Sequence, residues 1–243
     1  INYEDALEVH NNRQADVTLI YKECDDLGDP IHERILEMDA DQKVFRIKEH
    51  KGLERAETSH PYFVNMLIIR RKLLLNIIEK YSSNGCIDLM DILNINLEVL
   101  KIYGSSTDSL IGSIRTVEDY FHRSMDLLDL EVREKLLLGE NRIHTKIVDN
   151  PPTRYTAHAK VSNSLIASGC AIAGEVLNSI IFRGVTVERG CLIKDSIIMP
   201  KCYIYENART EYVILDKFVK VKRGNVIKGS INDPLVVVKS TVI

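Results

Sequence analysis

Asn163–Ile172 reads NSLIASGCAI, and its grammar returns three times: NSIIFRGVTV from Asn178, DSIIMPKCYI from Asp195 and YVILDKFVKV from Tyr212. The starts lie 15, 17 and 17 residues apart. That is too short for the common helical repeats and right for one coil of a parallel β-solenoid. Cys170, Val185, Cys202 and Val219 share one position, and Ile166, Ile181, Ile198 and Leu215 share another. The repeat predicts that both sets stack as interior ladders, with the cysteines acting as small apolar side chains. Asn163, Asn178 and Asp195 suit corners where a short polar side chain bonds local backbone. A coil cannot bury its face alone, so NDPLVVVKSTVI at 232–243 is expected to add a cap or a final coil.

Upstream of the repeats, DNPPTRY (Asp149–Tyr155) holds two prolines that forbid helix continuation. The expected division is an α/β region over 1–138, a linker over 139–154 and a β-helix over 155–243. In the first region ADVTLIYKE (Ala15–Glu23) and KVFRIKEH (Lys43–His50) read as strands. YFVNMLIIR (Tyr62–Arg70) is nearly continuous apolar, as in a strand buried on both faces. RKLLLNIIEKY, DLMDILNINLEVL and SMDLLDLEVREKLLL read as helices, the first two cut by the turn formers YSSNG (Tyr81–Gly85). In TVEDYFHRSMDLL the pattern predicts a capping box at Thr116 and Asp119. Val117, Tyr120, Phe121, Met125 and Leu128 form the expected buried face, with His122 outside it. The strands are too few to close an α/β domain, and the chain starts at Ile1 rather than Met. An upstream part is therefore expected.

Composition narrows the class. The chain has 243 residues, 45% apolar and 28% charged, as in a soluble globular protein. A net charge of −3 gives no general attraction to nucleic acid or anionic membrane. Cysteines at 24, 86, 170, 191 and 202 form no CxxC pair, which argues against structural zinc. An odd, unpatterned set fits reduced thiols and a cytoplasmic setting. No apolar run spans a bilayer and no secretory signal is visible.

An α/β region, a Pro-Pro linker and a β-solenoid in this order resemble the sugar-1-phosphate nucleotidyltransferases with a left-handed β-helix. ALEVHNNRQADVTLIYKE, VFRIKEHKG, TVEDYFHRSMDLLD, NPPTRY and NSIIFRGVTVERGCLIKDSIIMPKCYIYENA carry a likeness to the bacterial glucose-1-phosphate adenylyltransferase family. The resemblance implies a partial Rossmann-like nucleotidyltransferase domain before the β-helix. It implies an activity joining ATP and glucose 1-phosphate into ADP-glucose and pyrophosphate, with Mg²⁺, for glycogen synthesis. It also implies tetramers, with a β-helix that carries subunit contacts and takes part in allosteric control.

The resemblance places site residues, and several depart from the family. The Gly-x-Gly-x-Arg-Leu nucleotide loop does not occur in this chain. The family's Trp-x-Asp-Val-Gly-Thr aligns so that Ser113, Ile114 and Arg115 stand at Asp-Val-Gly, leaving Ser113 where a metal aspartate is expected. Its Phe-Val-Glu-Lys-Pro aligns with Ile47–Lys51, so Glu49 matches and His50 replaces the sugar-phosphate lysine. A free His titrates near ~6.5 against ~10.4 for Lys, and losing a charged hydrogen bond costs about 1.5–3 kcal/mol. Lys51 restores a cation if the register shifts by one. The family's Ser-Met-Gly-Ile-Tyr places Phe63, Val64 and Asn65 over Ser, Met and Gly, so Phe63 would crowd the sugar. No catalytic residue is intact on this reading, and neither Mg²⁺ nor ATP is expected to bind this portion.

Together these changes resemble the non-catalytic, GlgD-type subunit of the family. The implied partner is a catalytic paralogue in a hetero-oligomer, with self-association through the β-helix as the other assembly. Neither nucleic acid nor membrane is an expected partner. The alternatives are an active nucleotidyltransferase with a rearranged metal site and a β-helix interaction or scaffold protein. A β-helix acyltransferase is disfavoured, because His158, the one His after the linker, precedes the repeats. Asp88 and Asp91 are either solvated carboxylates on a helix or a metal pair. Lys217, Lys220, Lys222 and Arg223 are either a solvated face or an anionic effector site, with Arg154 a further candidate.

Overall fold

A computed structural model describes residues 1–24, 31–51, 59–81, 88–139, 143 and 149–243. Residues 82–87, including the expected loop and Cys86, and most of 140–148 in the expected linker lie outside them, as do the side chains of Cys24, His50 and Lys51. The chain forms two compact units, Ile1–Ser113 and Ile114–Ile243.

Among the described residues the first unit is an α/β sheet with three helices. In chain order it runs α1 (Tyr3–Asn12), β1 (Val17–Cys24), β2 (Ile31–Met38), β3 (Val44–Lys51), β4 (His60–Ile69), α2 (Arg71–Tyr81), α3 (Leu89–Ile95) and β5 (Ile102–Ser106). Strand order is β3-β2-β4-β1-β5. The β1–β5 pair is parallel; β1–β4, β4–β2 and β2–β3 are antiparallel. Strands β2 and β5 escape the sequence pattern, the first because HERILEM mixes charge on both faces, the second because IYGSS is short. Of β4 only Tyr62 and Phe63 are fully buried, so it is not the doubly covered strand that its apolar run suggests. Helix α3 stops sooner than DLMDILNINLEVL suggests, because Asn96 Nδ2 takes the Ile92 carbonyl at 2.7 Å and ends the ladder.

Helix α1 docks through Ala6 and His10, 2% and 6% exposed. His10 Nδ1 lies 2.9 Å from Thr18 Oγ1 on β1. Burial, then the Arg70 charge, push the His10 pKa below 6.5, with Asp16 opposing. The unfolded chain therefore takes the proton first as pH falls. The stability this neutral histidine supplies is full above about pH 6.5 and is lost on acidification below it. His10→Gln is expected to flatten the fall in melting temperature between about pH 7 and pH 5. An unchanged slope would sink this assignment.

The second unit is the parallel β-solenoid, three five-stranded sheets wrapped around one core. One face stacks Arg154–Tyr155, Ala171–Ile172, Thr186–Val187, Tyr203–Ile204 and Lys220–Val221. A second runs from Lys160–Ser162 to Val226–Lys228. The third stacks Leu165–Ile166, Ile180–Ile181, Ile197–Ile198, Val213–Leu215 and Leu235–Val237. The two predicted ladders lie inside: Cys170, Val185, Cys202 and Val219 are at most 2% exposed, as are Ile181, Ile198 and Leu215. Ile166, on the first rung, is half-buried. Burial lifts the Cys202 thiol to about 11, so it is an inert thiol that hydrogen-bonds the Asp216 carbonyl at 3.0 Å.

The opening dipeptides of the repeats have a local cause. Asn163, Asn178, Asp195 and Tyr212 all sit at positive φ, between 41° and 52°, where Asn and Asp are tolerated best among non-glycine residues. In the first three repeats the following serine makes a further, polar ladder. Ser164, Ser179 and Ser196 each donate to the carbonyl two residues back and accept from an amide on the next coil.

Residues 114–138 pack with the solenoid, upstream of the linker the prolines suggest. They form α4 (Val117–Met125), a 3₁₀ turn (Asp126–Leu128) and α5 (Leu130–Leu137). Phe121 is 2% exposed and packs on Ile197 and Ile214, the outward row of the third face, with Tyr120, Met125, Met199 and Tyr212 around it. The buried face is narrower than the pattern predicts, since Val117 is 49% exposed.

Candidate functional site

The expected sugar-phosphate positions occupy different strands of the first unit. Glu49 and His50 lie on edge strand β3, opposite Arg34 and Glu33 of β2. Glu49 is exposed. Arg34 reaches instead to α3, pairing with Asp88 and, at 3.6 Å, with Asp91. Asp88 also caps α3 through the Met90 amide. Burial opposes its charge, yet the Arg34 and Met90 hydrogen bonds hold its carboxyl below the usual range. Asp88 and Asp91 are thus exposed carboxylates at the start of α3, as one reading expects, and both pair with the Arg34 guanidinium.

Phe63 lies on the central strand β4, opposite Tyr21. It is 5% exposed and belongs to the core with Leu19, Tyr21 and Leu36. Two residues on, Asn65 has φ 58°, where the β1–β4 register slips between Leu19 and Tyr21. A strand interior with left-handed geometry is a bulge that favours glycine and next admits asparagine. The resemblance aligns a family glycine with Asn65. The backbone shape is kept while the side chain changes. Sequence reading noted the aligned glycine and missed the geometry.

Ser113 ends the first unit, half-buried in the segment between β5 and α4. Lys22 Nζ holds that segment by the Ser109 carbonyl at 2.6 Å. Downstream the predicted capping box is present: Thr116 Oγ1 accepts the Asp119 amide and Asp119 Oδ2 accepts the Thr116 amide, both at 3.0 Å. Asp119 Oδ2 also accepts the Arg115 amide at 3.0 Å. These backbone bonds, Arg115's first, hold the Asp119 carboxyl low. The segment's end is therefore pinned to α4, and Asp119 is committed to capping. Ser113 offers a neutral hydroxyl where a hard divalent cation needs carboxylate oxygens, so the residues present do not fit Mg²⁺ there. Among the described residues no group of three or more His, Cys, Asp or Glu could hold a metal ion.

The cationic candidates lie on the solenoid. Lys217, Lys220, Lys222 and Arg223 are all exposed on its later coils, and Arg223 pairs with Glu206 at 3.1 Å. Arg154 shares the face of Lys220 but stands on the opposite edge strand, so the structure does not bring it to the lysines. It adds residues that the sequence reading missed. Phe218, 43% exposed, lies under Lys201 and Lys239, whose Nζ atoms are 5.7 and 5.9 Å from its ring centre. No helix among the described residues is long and apolar enough to cross a membrane.

Residues 145–232 match the family described as GlmU-like, C-terminal hexapeptide. The chain is 35% identical over 179 residues to the Glycogen biosynthesis protein GlgD of Bacillus subtilis (strain 168), covering 74% of this chain and 52% of that protein. A Geobacillus stearothermophilus protein of the same name is 35% identical over 130 residues, 54% of this chain and 38% of that one. The glucose-1-phosphate adenylyltransferase of Bacillus anthracis is 27% identical over 240 residues, 96% of this chain and 62% of that enzyme. The chain thus spans about half the length of the GlgD protein of Bacillus subtilis.

Proposed function

Since this chain belongs to the glucose-1-phosphate adenylyltransferase family, with GlgD-type relatives, we propose that it is part of a regulatory subunit of that enzyme in glycogen biosynthesis. It modulates a catalytic paralogue in a hetero-oligomer, a tetramer on the family pattern, in the cytoplasm, and makes little or no ADP-glucose alone. The observation that carries this reading is Phe63. The position aligned with a sugar-pocket serine holds a ring that is 5% exposed in the sheet core, so it offers the sugar no hydrogen bond. Ser113 supports it, because a hydroxyl cannot neutralise charge on a metal as a carboxylate does.

By ancestry 1–138 is the nucleotidyltransferase-like domain, 139–154 the linker and 155–243 the β-helix. The helices at 117–137 are then an arm of the first domain that packs on the second. Lys217, Lys220, Lys222 and Arg223 form an anionic effector site of this subunit. Glu49 and His50 are relics of the sugar-phosphate pocket.

Metal-assisted charge stabilisation is worth several kcal/mol, and each 1.36 kcal/mol is tenfold in rate. Full-length protein alone is therefore expected to form ADP-glucose at least about 100-fold more slowly than its catalytic paralogue. Co-expression is expected to change the paralogue's response to anionic effectors. Robust activity of the protein alone, abolished by Ser113→Ala or His50→Ala, would overturn the reading.

A further inference from the structure

The solenoid carries a groove of about 520 Å³ on its Arg154 face. Small side chains open it. On the outward row Arg154–Ala171–Thr186, the middle coil contributes only a methyl group. On the neighbouring row Thr156–Ala173–Glu188, it does so again. The flanking coils are two strand spacings apart, about 9.5 Å, with two alanines as the floor between them. Tyr155, 54% exposed, stands at one end with its ring open to solvent.

The polar groups around this floor are of both signs, and Glu188 is held in place. Glu188 Oε1 accepts the Tyr203 hydroxyl at 2.5 Å and Oε2 accepts the Glu206 amide at 2.9 Å. Arg189 is in hydrogen-bond contact with His158, and Arg154 has no carboxylate partner among the described residues. A phosphate entering here would meet the Glu188 and Glu206 carboxylates as well as two guanidiniums. A neutral polyol uses both, giving hydroxyl protons to carboxylates and taking N–H bonds from arginines, while an aromatic ring covers an apolar sugar face.

We propose that this groove binds a neutral oligosaccharide, one sugar unit on the Ala171–Ala173 floor and the next against Tyr155. An α-glucan is the chosen ligand, and that choice rests on the glycogen role proposed above. The groove meets the cationic cluster at one point, where Glu206 pairs with Arg223, and it tethers the subunit to polymer rather than sensing a metabolite.

Native electrophoresis of the full-length protein through gels containing glycogen tests this. The wild type is expected to be retarded. Ala171→Phe, which fills the floor from outside the core, and Arg189→Ala, at an exposed site, are each expected to abolish the retardation with unchanged melting. Affinity for maltohexaose, measured by calorimetry, is expected to fall at least about tenfold in both. Wild-type mobility indifferent to glycogen, full binding by both variants, or displacement of maltohexaose by inorganic phosphate would each overturn the proposal. Those results leave the ADP-glucose assay untouched. Conversely, glycogen binding by a protein that is fully active alone would overturn the regulatory reading and leave the groove standing.

Discussion

Phe121→Ala is expected to lower the unfolding free energy of the solenoid unit by about 3–5 kcal/mol, the cost of emptying an aromatic site in a close-packed core. The ring is 2% exposed, sits on Ile197 and Ile214, themselves 0% and 4% exposed, and tilts against Tyr212 at 6.4 Å. Phe121 is the one fully buried residue of α4, with Tyr120 and Met125 only partly buried beside it. Helix α5 has no buried residue, and α4, at nine residues, is too short to persist in water without tertiary support. The variant should therefore free the arm locally, and the outward isoleucines of the third face should meet solvent. Urea unfolding gives the magnitude, and limited proteolysis should cut within 114–138 at low urea, before the coils open. Leu130→Ala, at a 56% exposed site on α5, is the control and should change little. A loss below about 1 kcal/mol for Phe121→Ala would mean the arm is held some other way.

That arm shows what the sequence does and does not reveal. The interior ladders were readable because a coil of 15 or 17 residues returns the same side chain to the same wall, and only apolar groups fit there. The boundary was read from Pro151 and Pro152, which report where a helix cannot continue and nothing about what a helix packs on. Yet a signal for the covered face was present. Ile180-Ile181, Ile197-Ile198 and Ile214-Leu215 are apolar at both the inward and outward position. On the Arg154 face the pairs are Thr186-Val187, Tyr203-Ile204 and Lys220-Val221, polar or amphipathic outside and aliphatic inside. A strand apolar on both sides needs cover on both sides. In the first unit the reverse holds: β4 is largely apolar, yet most of it is half-exposed.

The candidate site was legible one residue at a time. The identities at Ser113, His50 and Phe63 could be set against the family from sequence alone. That Phe63 turns into the core, that Asn65 keeps a left-handed bulge and that Arg34 draws Asp88 and Asp91 to itself depend on strand register. Register is fixed by partners distant in the chain. Sequence spacing within one segment does not carry that information.

Gly229→Ala is the second large effect expected, and its mechanism is steric. The last described coil departs from the 17-residue spacing, because 229–234 loop out before Leu235–Val237 joins the third face beside Val213–Leu215. The Leu235 amide donates to the Tyr212 carbonyl at 3.0 Å, the first bond that docks this strand. A β-carbon on Gly229 would fall between those two groups, in collision with Tyr212 O and only 2.6 Å from Leu235 N. Both are backbone atoms, so no side-chain rotation relieves the contact. Either the loop shifts and the docking bond breaks, or the strand is displaced and Val237, 8% exposed in the core, loses its packing. A broken hydrogen bond costs up to about 1–3 kcal/mol and overpacking about 1–3 kcal/mol, so either route should cost about 1–3 kcal/mol. Amide exchange is expected to rise first at Leu235 and Val237, while the Ile198 rung stays protected. Gly224→Ala is a useful contrast, since nothing lies within 4 Å of its added carbon and only its φ of 71° is strained. If Gly229→Ala melts like the wild type, the loop at 229–234 yields freely and the docking of the last coil does not depend on it.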